Sequence, residues 1–125
     1  MGSLAIYLQV KQLVEEVWKD NTKYVENYTL IINSMLKVLE QNPNDIIAMT
    51  NLGAAYCDLG KYDKAISVLK KAEHLGSDDK NTLFNIGIAL INSASCIEAK
   101  KYFKLSQKLK ASELTYQAYV DLMGY

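Results

Sequence analysis

A repeat with a period of 34 residues constrains this sequence more than any other feature. The stretch TNLGAAYCDLGKYDKAISVLKKAEHL, from Thr50 to Leu75, aligns without a gap with FNIGIALINSASCIEAKKYFKLSQKL, from Phe84 to Leu109. The identical pairs include Asn51 and Asn85, Gly53 and Gly87, Ala55 and Ala89, Ala65 and Ala99, and Lys70 and Lys104. A fixed period of this length is typical of helical repeat arrays, in which each unit buries its apolar face against its neighbours.

Helix-start and helix-stop signals divide each unit into two helices. In the first unit they predict helices over residues 46–58 and 62–75, joined by a tight turn. Asp and Ser side chains accept hydrogen bonds from the free amides at a helix start, and glycine adopts the left-handed conformation after a helix at little cost. We expect caps at Asp45, Asp79 and Ser95, a capping box between Ser95 and Glu98, and helix-ending glycines at Gly60 and Gly76.

Gly53 lies inside a predicted helix, where glycine is less favourable than alanine by about 1 kcal/mol. Two antiparallel helices joined by a short turn cross closely, and a small residue at the crossing lets them approach. We therefore expect Gly53 and Ala65 to form the crossing in one unit, and Gly87 and Ala99 in the next.

These residues resemble the tetratricopeptide repeat, a 34-residue helix pair with a Leu-Gly, a Tyr and two Ala residues at fixed spacing. The first unit supplies Met49, Leu52, Gly53, Tyr56, Ala65, Leu69, Ala72 and Ser77 at the signature positions. The second unit supplies Leu83, Ile86, Gly87, Leu90, Ala99, Phe103, Ser106 and Ala111. An aromatic residue and a proline of the signature are missing from both units. The resemblance implies an all-α fold, an α-solenoid of antiparallel helix pairs.

The rest of the chain is expected to complete one domain over residues 1–125. Residues 4–45 are predicted to form a degenerate N-terminal helix pair, because Lys19 stands where the repeat has glycine while Pro43 matches its terminal proline. Repeats follow over residues 46–79 and 80–113, and residues 114–125 are expected to form a capping helix. In the first helix, one face carries Tyr7, Val10, Leu13, Val14, Val17 and Trp18. The prediction is thus about three repeats and a cap, seven helices in all.

No group of residues with the spacing of a catalytic or metal site is present. His74 is the single histidine, and Cys57 and Cys96 lie far apart in sequence, so no zinc ligand set or cysteine–histidine pair is indicated. We expect no enzymatic activity, no cofactor and no metal.

Charge and hydropathy exclude other classes of protein. The 14 lysines balance 14 acidic residues and there is no arginine, which argues against binding nucleic acid or an anionic membrane. No signal peptide or membrane-spanning segment is indicated. With two cysteines read as free thiols, we expect a cytoplasmic protein.

The resemblance also implies a concave groove, lined by the first helix of each pair, that binds a peptide or helix of another protein. The groove positions carried over from the family are Ile47, Thr50, Asn51, Ala54, Cys57, Asp58, Asn81, Phe84, Asn85, Ile88, Ile91 and Asn92. Within this set, Phe84, Ile88 and Ile91 form an apolar stripe. That stripe fits two roles: contact with the C-terminal helix, or a partner-binding surface.

The family's clamp for acidic chaperone tails is not expected. Thr50 and Ala54 stand where that clamp has lysine and asparagine, and no alternative register supplies a positive charge.

We therefore expect a protein–protein interaction module. Two alternatives remain open: a dedicated chaperone or inhibitor of one cognate protein, of the secretion-chaperone or toxin-immunity type, and a structural subunit that forms homo-oligomers through its terminal helix.

Overall fold

The computed structural model describes residues 2–93 and 95–119, with side chains from Leu4 onward. Six α-helices and one turn of 3-10 helix, Asn21–Lys23, occur in these ranges, and no strand does. The helices are α1 Gly2–Lys19, α2 Tyr24–Gln41, α3 Ile46–Asp58, α4 Tyr62–His74, α5 Lys80–Ser93 and α6 Cys96–Ser106. Each helix packs on the next along the chain, and α3 also packs on α5. The predicted all-α solenoid is confirmed.

The predicted caps are present at the starts of α3, α5 and α6. The capping distances are 3.0 Å from Ala48 N to Asp45 Oδ1, 2.9 Å from Asn81 N to Asp79 Oδ1, and 3.1 Å from Glu98 N to Ser95 Oγ. Gly60 follows the end of α3 and Gly76 follows the end of α4, with φ of 74° and 96°, in the left-handed region that favours glycine. The helix boundaries thus follow from local hydrogen bonding.

The predicted capping box is only half formed. Ser95 N donates to Leu90 O at 3.0 Å, so the Glu98 side chain does not cap it. Glu98 instead accepts a hydrogen bond from Lys70 Nζ at 3.1 Å, which ties α6 to α4 of the preceding unit.

The crossing glycines lie against a large side chain of the second helix. A Cβ added at Gly53 would overlap the Leu69 side chain, which is fully buried. A Cβ at Gly87 would lie 2.5 Å from Phe103 Cε1, and Phe103 is the residue equivalent to Leu69. Close approach is therefore confirmed, with Leu69 and Phe103 filling the space that the missing Cβ leaves open.

The N-terminal pair, α1 and α2, lacks the glycine of the repeat and buries the apolar face of α1 instead. Tyr7, Val10, Val14 and Val17 are buried as predicted, but Trp18 is 69% exposed, because it lies about 100° round the helix from the buried Val17. Tyr7 Oη donates to Asp45 Oδ2 at 2.5 Å, so α1 is tied to the start of α3.

The predicted capping helix is wrong over residues 114–119. The last described helix, α6, ends at Ser106, and residues 115–119 run as extended chain. Their backbone groups bond to side chains of α3 and α5. These groups are therefore not available for the hydrogen bonds within a helix. Residues 120–125 lie outside the described part of the chain. We call residues 112–119 the tail.

Substitution of Gly53 by alanine should destabilise the protein, although alanine favours helix by about 1 kcal/mol. The new methyl group would overlap Leu69, and overpacking typically costs about 1–3 kcal/mol. In a Leu69→Ala background the space is free, so Gly53→Ala should be neutral or stabilising there. Urea unfolding followed by circular dichroism gives the free energy of unfolding of wild type, Gly53→Ala, Leu69→Ala and the double variant. Ser67→Ala, on the exposed face of α4, is the control. A Gly53→Ala protein more stable than wild type would contradict the close-contact argument.

Candidate functional site

Asn51 on α3 and Asn85 on α5 hold equivalent positions of the two repeats, and both side chains are fully buried. Because α3 packs directly on α5, the repeat period brings the two carboxamides onto the same side of the array. We call this side of α3 and α5, with Asp58, Asp79 and Asn81, the first-helix surface.

The two carboxamides bind the backbone of the tail. Asn51 Nδ2 donates to Leu114 O at 3.0 Å, and Asn51 Oδ1 accepts from Tyr116 N at 3.2 Å. Asn85 Nδ2 donates to Tyr116 O at 3.1 Å, and Asn85 Oδ1 accepts from Ala118 N at 2.9 Å. One repeat along the array thus corresponds to two residues along the tail, and Tyr116 is held at both its amide and its carbonyl.

A second group of polar residues binds the beginning of the tail. Thr115 Oγ1 donates to Asp79 Oδ2 at 2.6 Å and accepts from Asn81 Nδ2 at 3.0 Å. Asp79 Oδ1 also accepts from Ser112 N at 3.0 Å while it caps α5. Asp79 therefore joins the helix start to the tail.

Asp58, at the end of α3, binds the far end of the described tail. Its Oδ1 accepts from Tyr119 N at 2.7 Å. Burial raises the pKa of the Asp58 carboxyl from 3.8 to about 7, against the opposing effects of the Tyr119 amide and the Tyr28 hydroxyl. Asp58 consequently changes charge near neutral pH.

The side chains of the tail differ in exposure. Thr115, Tyr116 and Ala118 are buried, whereas Gln117 and Tyr119 are exposed. The Tyr116 hydroxyl is buried and has no hydrogen-bond partner among the described residues. Burial, with the nearby Asp58, Tyr28 and Cys57, raises the pKa of Tyr116 well above its usual value.

Four of the predicted site residues contact the tail: Asn51, Asp58, Asn81 and Asn85. Three others are buried under them and bond within the array or pack in its core: Thr50, Ala54 and Cys57. Thr50 Oγ1 lies 2.6 Å from Thr82 Oγ1, and Cys57 Sγ donates to Asn85 O at 3.6 Å. Burial also raises the pKa of the Cys57 thiol.

The predicted apolar stripe does not form one surface. Phe84 packs on Phe103 of α6, with ring centroids 5.0 Å apart, and Ile88 is buried. Ile91 is 47% exposed, and the exposed Asn92 donates to Ile88 O of its own helix at 2.8 Å. Ile47 is half-buried against the core. These residues have no described polar contact with the tail.

Sequence reasoning did not identify three parts of the candidate site: Asp79, Tyr28 and the tail. Asp79 was recognised only as a helix cap, a role it fills with the same oxygen that binds Ser112. The polar and apolar residues that alternate from Thr115 to Ala118 are a short sequence signal of an extended tail, and the structure buries Thr115 as well as Tyr116 and Ala118.

Within the described ranges, no three His, Cys, Asp or Glu residues cluster as metal ligands, and both cysteines are free thiols. No helix there is long and apolar enough to cross a membrane.

Comparison with known proteins shows similarity to tetratricopeptide repeat sequences. A family model described as tetratricopeptide repeat matches residues 34–67. Tetratricopeptide repeat protein 21B of Xenopus laevis is 27% identical over 107 residues, an alignment that covers 86% of this chain and 8% of the relative. The chain therefore spans only a small part of that relative's length. These matches confirm the predicted resemblance and support a module of protein–protein interaction, in a family that is generally non-enzymatic.

The raised pKa of Asp58 predicts that it destabilises the protein as pH rises. Below about pH 4 the carboxyl is protonated in both folded and unfolded states and does not lower the free energy of unfolding. Between about pH 4 and pH 7 the carboxyl ionises more readily in the unfolded state, so the free energy of unfolding falls as pH rises. Relative to Asp58→Asn, which keeps an acceptor oxygen for Tyr119, the wild-type free energy of unfolding should fall by at most about 1.4 kcal/mol per pH unit in this range.

Urea unfolding of wild type and Asp58→Asn across this pH range measures the difference. Asp63→Asn, which alters an exposed carboxylate on α4, is the matched control and should follow wild type. A constant difference between wild type and Asp58→Asn would show that Asp58 does not titrate near neutral pH.

Proposed function

Since the chain is built from tetratricopeptide-like repeats, we propose that its first-helix surface binds an extended segment of another protein, and that the tail occupies this surface until a partner displaces it. The single observation behind the proposal is the pairing of Asn51 and Asn85 with backbone groups of residues 114–118. The helical peptide that the family resemblance also allows is not favoured, because the interior backbone groups of a helix are already bonded to one another and cannot bind these carboxamides.

Backbone recognition makes the surface usable by a foreign segment. The four hydrogen bonds of Asn51 and Asn85 reach only carbonyl oxygens and amide hydrogens, which every residue except proline supplies. Main-chain bonding gives affinity to an added extended segment, while pockets for alternate side chains give specificity. A partner running in the same direction as the tail would make the same bonds.

The attached tail sets the affinity that a partner needs. A covalently linked segment competes at an effective concentration on the order of millimolar. The observed dissociation constant for a partner is its intrinsic value divided by the fraction of molecules in which the surface is open. The tail would therefore exclude weak or non-specific peptides and admit only a segment that binds more tightly.

The alternative roles have less structural support than the binding of an extended segment. A dedicated chaperone or inhibitor of one cognate protein would use the same surface, and the partner's identity would distinguish it from a general adaptor. Homo-oligomerisation through a terminal helix is not favoured, because the described residues 114–119 are not helical. The two free thiols suit the reducing cytoplasm that we propose as its compartment.

The labelled peptide SELTYQAY, a copy of residues 112–119, should bind the full chain when its own tail is released. Ala118→Glu places a charge at a buried position of the tail and should release it, so fluorescence anisotropy should show at least about tenfold tighter peptide binding than to wild type. Adding Asn85→Ala should weaken this binding, because two backbone bonds are lost.

Gln117→Glu is the matched control, because the same charge at an exposed position should leave the tail bound and the surface closed. Circular dichroism confirms that each variant is folded. A folded Ala118→Glu chain that binds no peptide would overturn the proposal.

A further inference from the structure

We infer that the first-helix surface selects partner segments with a hydroxyl residue, an aromatic residue, any residue and a small residue in succession, as in Thr115-Tyr116-Gln117-Ala118 of the tail. This inference rests on the proposed function and adds the chemistry of the partner. It commits to an extended segment of a separate protein, because the tail shows which side chains the surface accommodates.

The asparagines fix the register on which this selectivity depends. Tyr116 N bonds to Asn51 and Tyr116 O bonds to Asn85, so one residue is held from both sides. Because Thr115, Tyr116 and Ala118 are all buried, a segment shifted by one residue would bring a different side chain to each of their sites. Each position of a bound segment therefore meets a defined site.

The central site takes an aromatic ring. Tyr116 is 6% exposed and lies near Tyr28 of α2 and Cys57 of α3. Its hydroxyl has no hydrogen-bond partner among the described residues, so nothing described at this site rewards tyrosine over phenylalanine. Phenylalanine would fill the same space without an unpaired buried hydroxyl.

The site occupied by Thr115, which precedes the aromatic site, accommodates a hydroxyl group. The Thr115 hydroxyl donates to Asp79 and accepts from Asn81, which uses both capacities of that group. Valine has a similar shape and would leave the buried Asp79 Oδ2 and the Asn81 amide without this partner. Serine and threonine are the residues that satisfy both neighbours.

The site two residues after the ring takes a small side chain. Ala118 is 1% exposed and its amide is held by Asn85, so its methyl group is buried against the array. A larger side chain there would overpack the contact. Gln117, between the two sites, is exposed and leaves its position free.

Peptide variants tested on the full-length Ala118→Glu chain measure this selectivity by fluorescence anisotropy. Relative to SELTYQAY, peptides with Tyr→Ala, Thr→Val or Ala→Leu at the positions of Tyr116, Thr115 and Ala118 should each bind about tenfold more weakly. Tyr→Phe should bind equally or more tightly, and Gln→Ala at the exposed position should stay within about twofold.

The outcomes separate the two proposals. If SELTYQAY fails to bind a folded chain, the proposed function fails and the motif with it. If all the peptides bind alike, the surface reads backbone only, so the motif is overturned while the proposed function stands. A concentration-dependent dimer of the wild-type chain in sedimentation, abolished by Ala118→Glu, would identify a second copy's tail as the occupant and overturn the separate partner.

A second measurement covers the case in which Ala118→Glu does not fold. The substitutions Tyr116→Ala and Gln117→Ala are then made in the chain's own tail, and hydrogen exchange of the Ala118 amide is followed. Exchange should accelerate at least about tenfold in Tyr116→Ala and stay near wild type in Gln117→Ala. Equal exchange in the two variants would overturn the aromatic site.

Discussion

The contact between a glycine of one helix and a large side chain of the next sets the geometry of this array. Gly53 leaves room for Leu69, and Gly87 leaves room for Phe103 one repeat later. Because the same contact recurs at the same period, the two helix pairs have closely similar inner arrangements, and α3 lies beside α5. Equivalent residues of α3 and α5 are consequently aligned, and that alignment makes Asn51 and Asn85 act together.

Aligned asparagines create a demand for hydrogen-bond partners. Both side chains are fully buried, and a buried amide without partners is strongly unfavourable. The tail supplies a carbonyl and an amide to each of them, and the Thr115 hydroxyl accepts from Asn81 and donates to Asp79. A surface of this kind needs an extended chain over it, and the proposed exchange between the tail and a partner would keep its polar groups bonded in both states.

The tail in turn depends on the array for its conformation. The sequence predicts a capping helix for this segment, and a helix would satisfy its backbone internally. Instead, the side chains of Asn51, Asn85, Asp58 and Asp79 satisfy that backbone in extended form. Those contacts also bury Tyr116 and Ala118, which an exposed end helix would not require.

Sequence alone determined the repeat, the helix boundaries and the close contact at the glycines, because each depends on residues near in the chain or on the regular period. Asp45, Gly60 and Gly76 act on the turns beside them. The sequence also placed Asn51 and Asn85 at equivalent positions of the two repeats, which the structure brings together on the first-helix surface. Only the tertiary structure decided what lies on that surface, since Asn51 and Leu114 are 63 residues apart and no local pattern links a side-chain amide to a distant backbone. The tertiary structure also decided that Phe84 contacts α6 and that Asp79 binds the tail. The side of a helix that meets a neighbour depends on how the helices pack and not on local sequence.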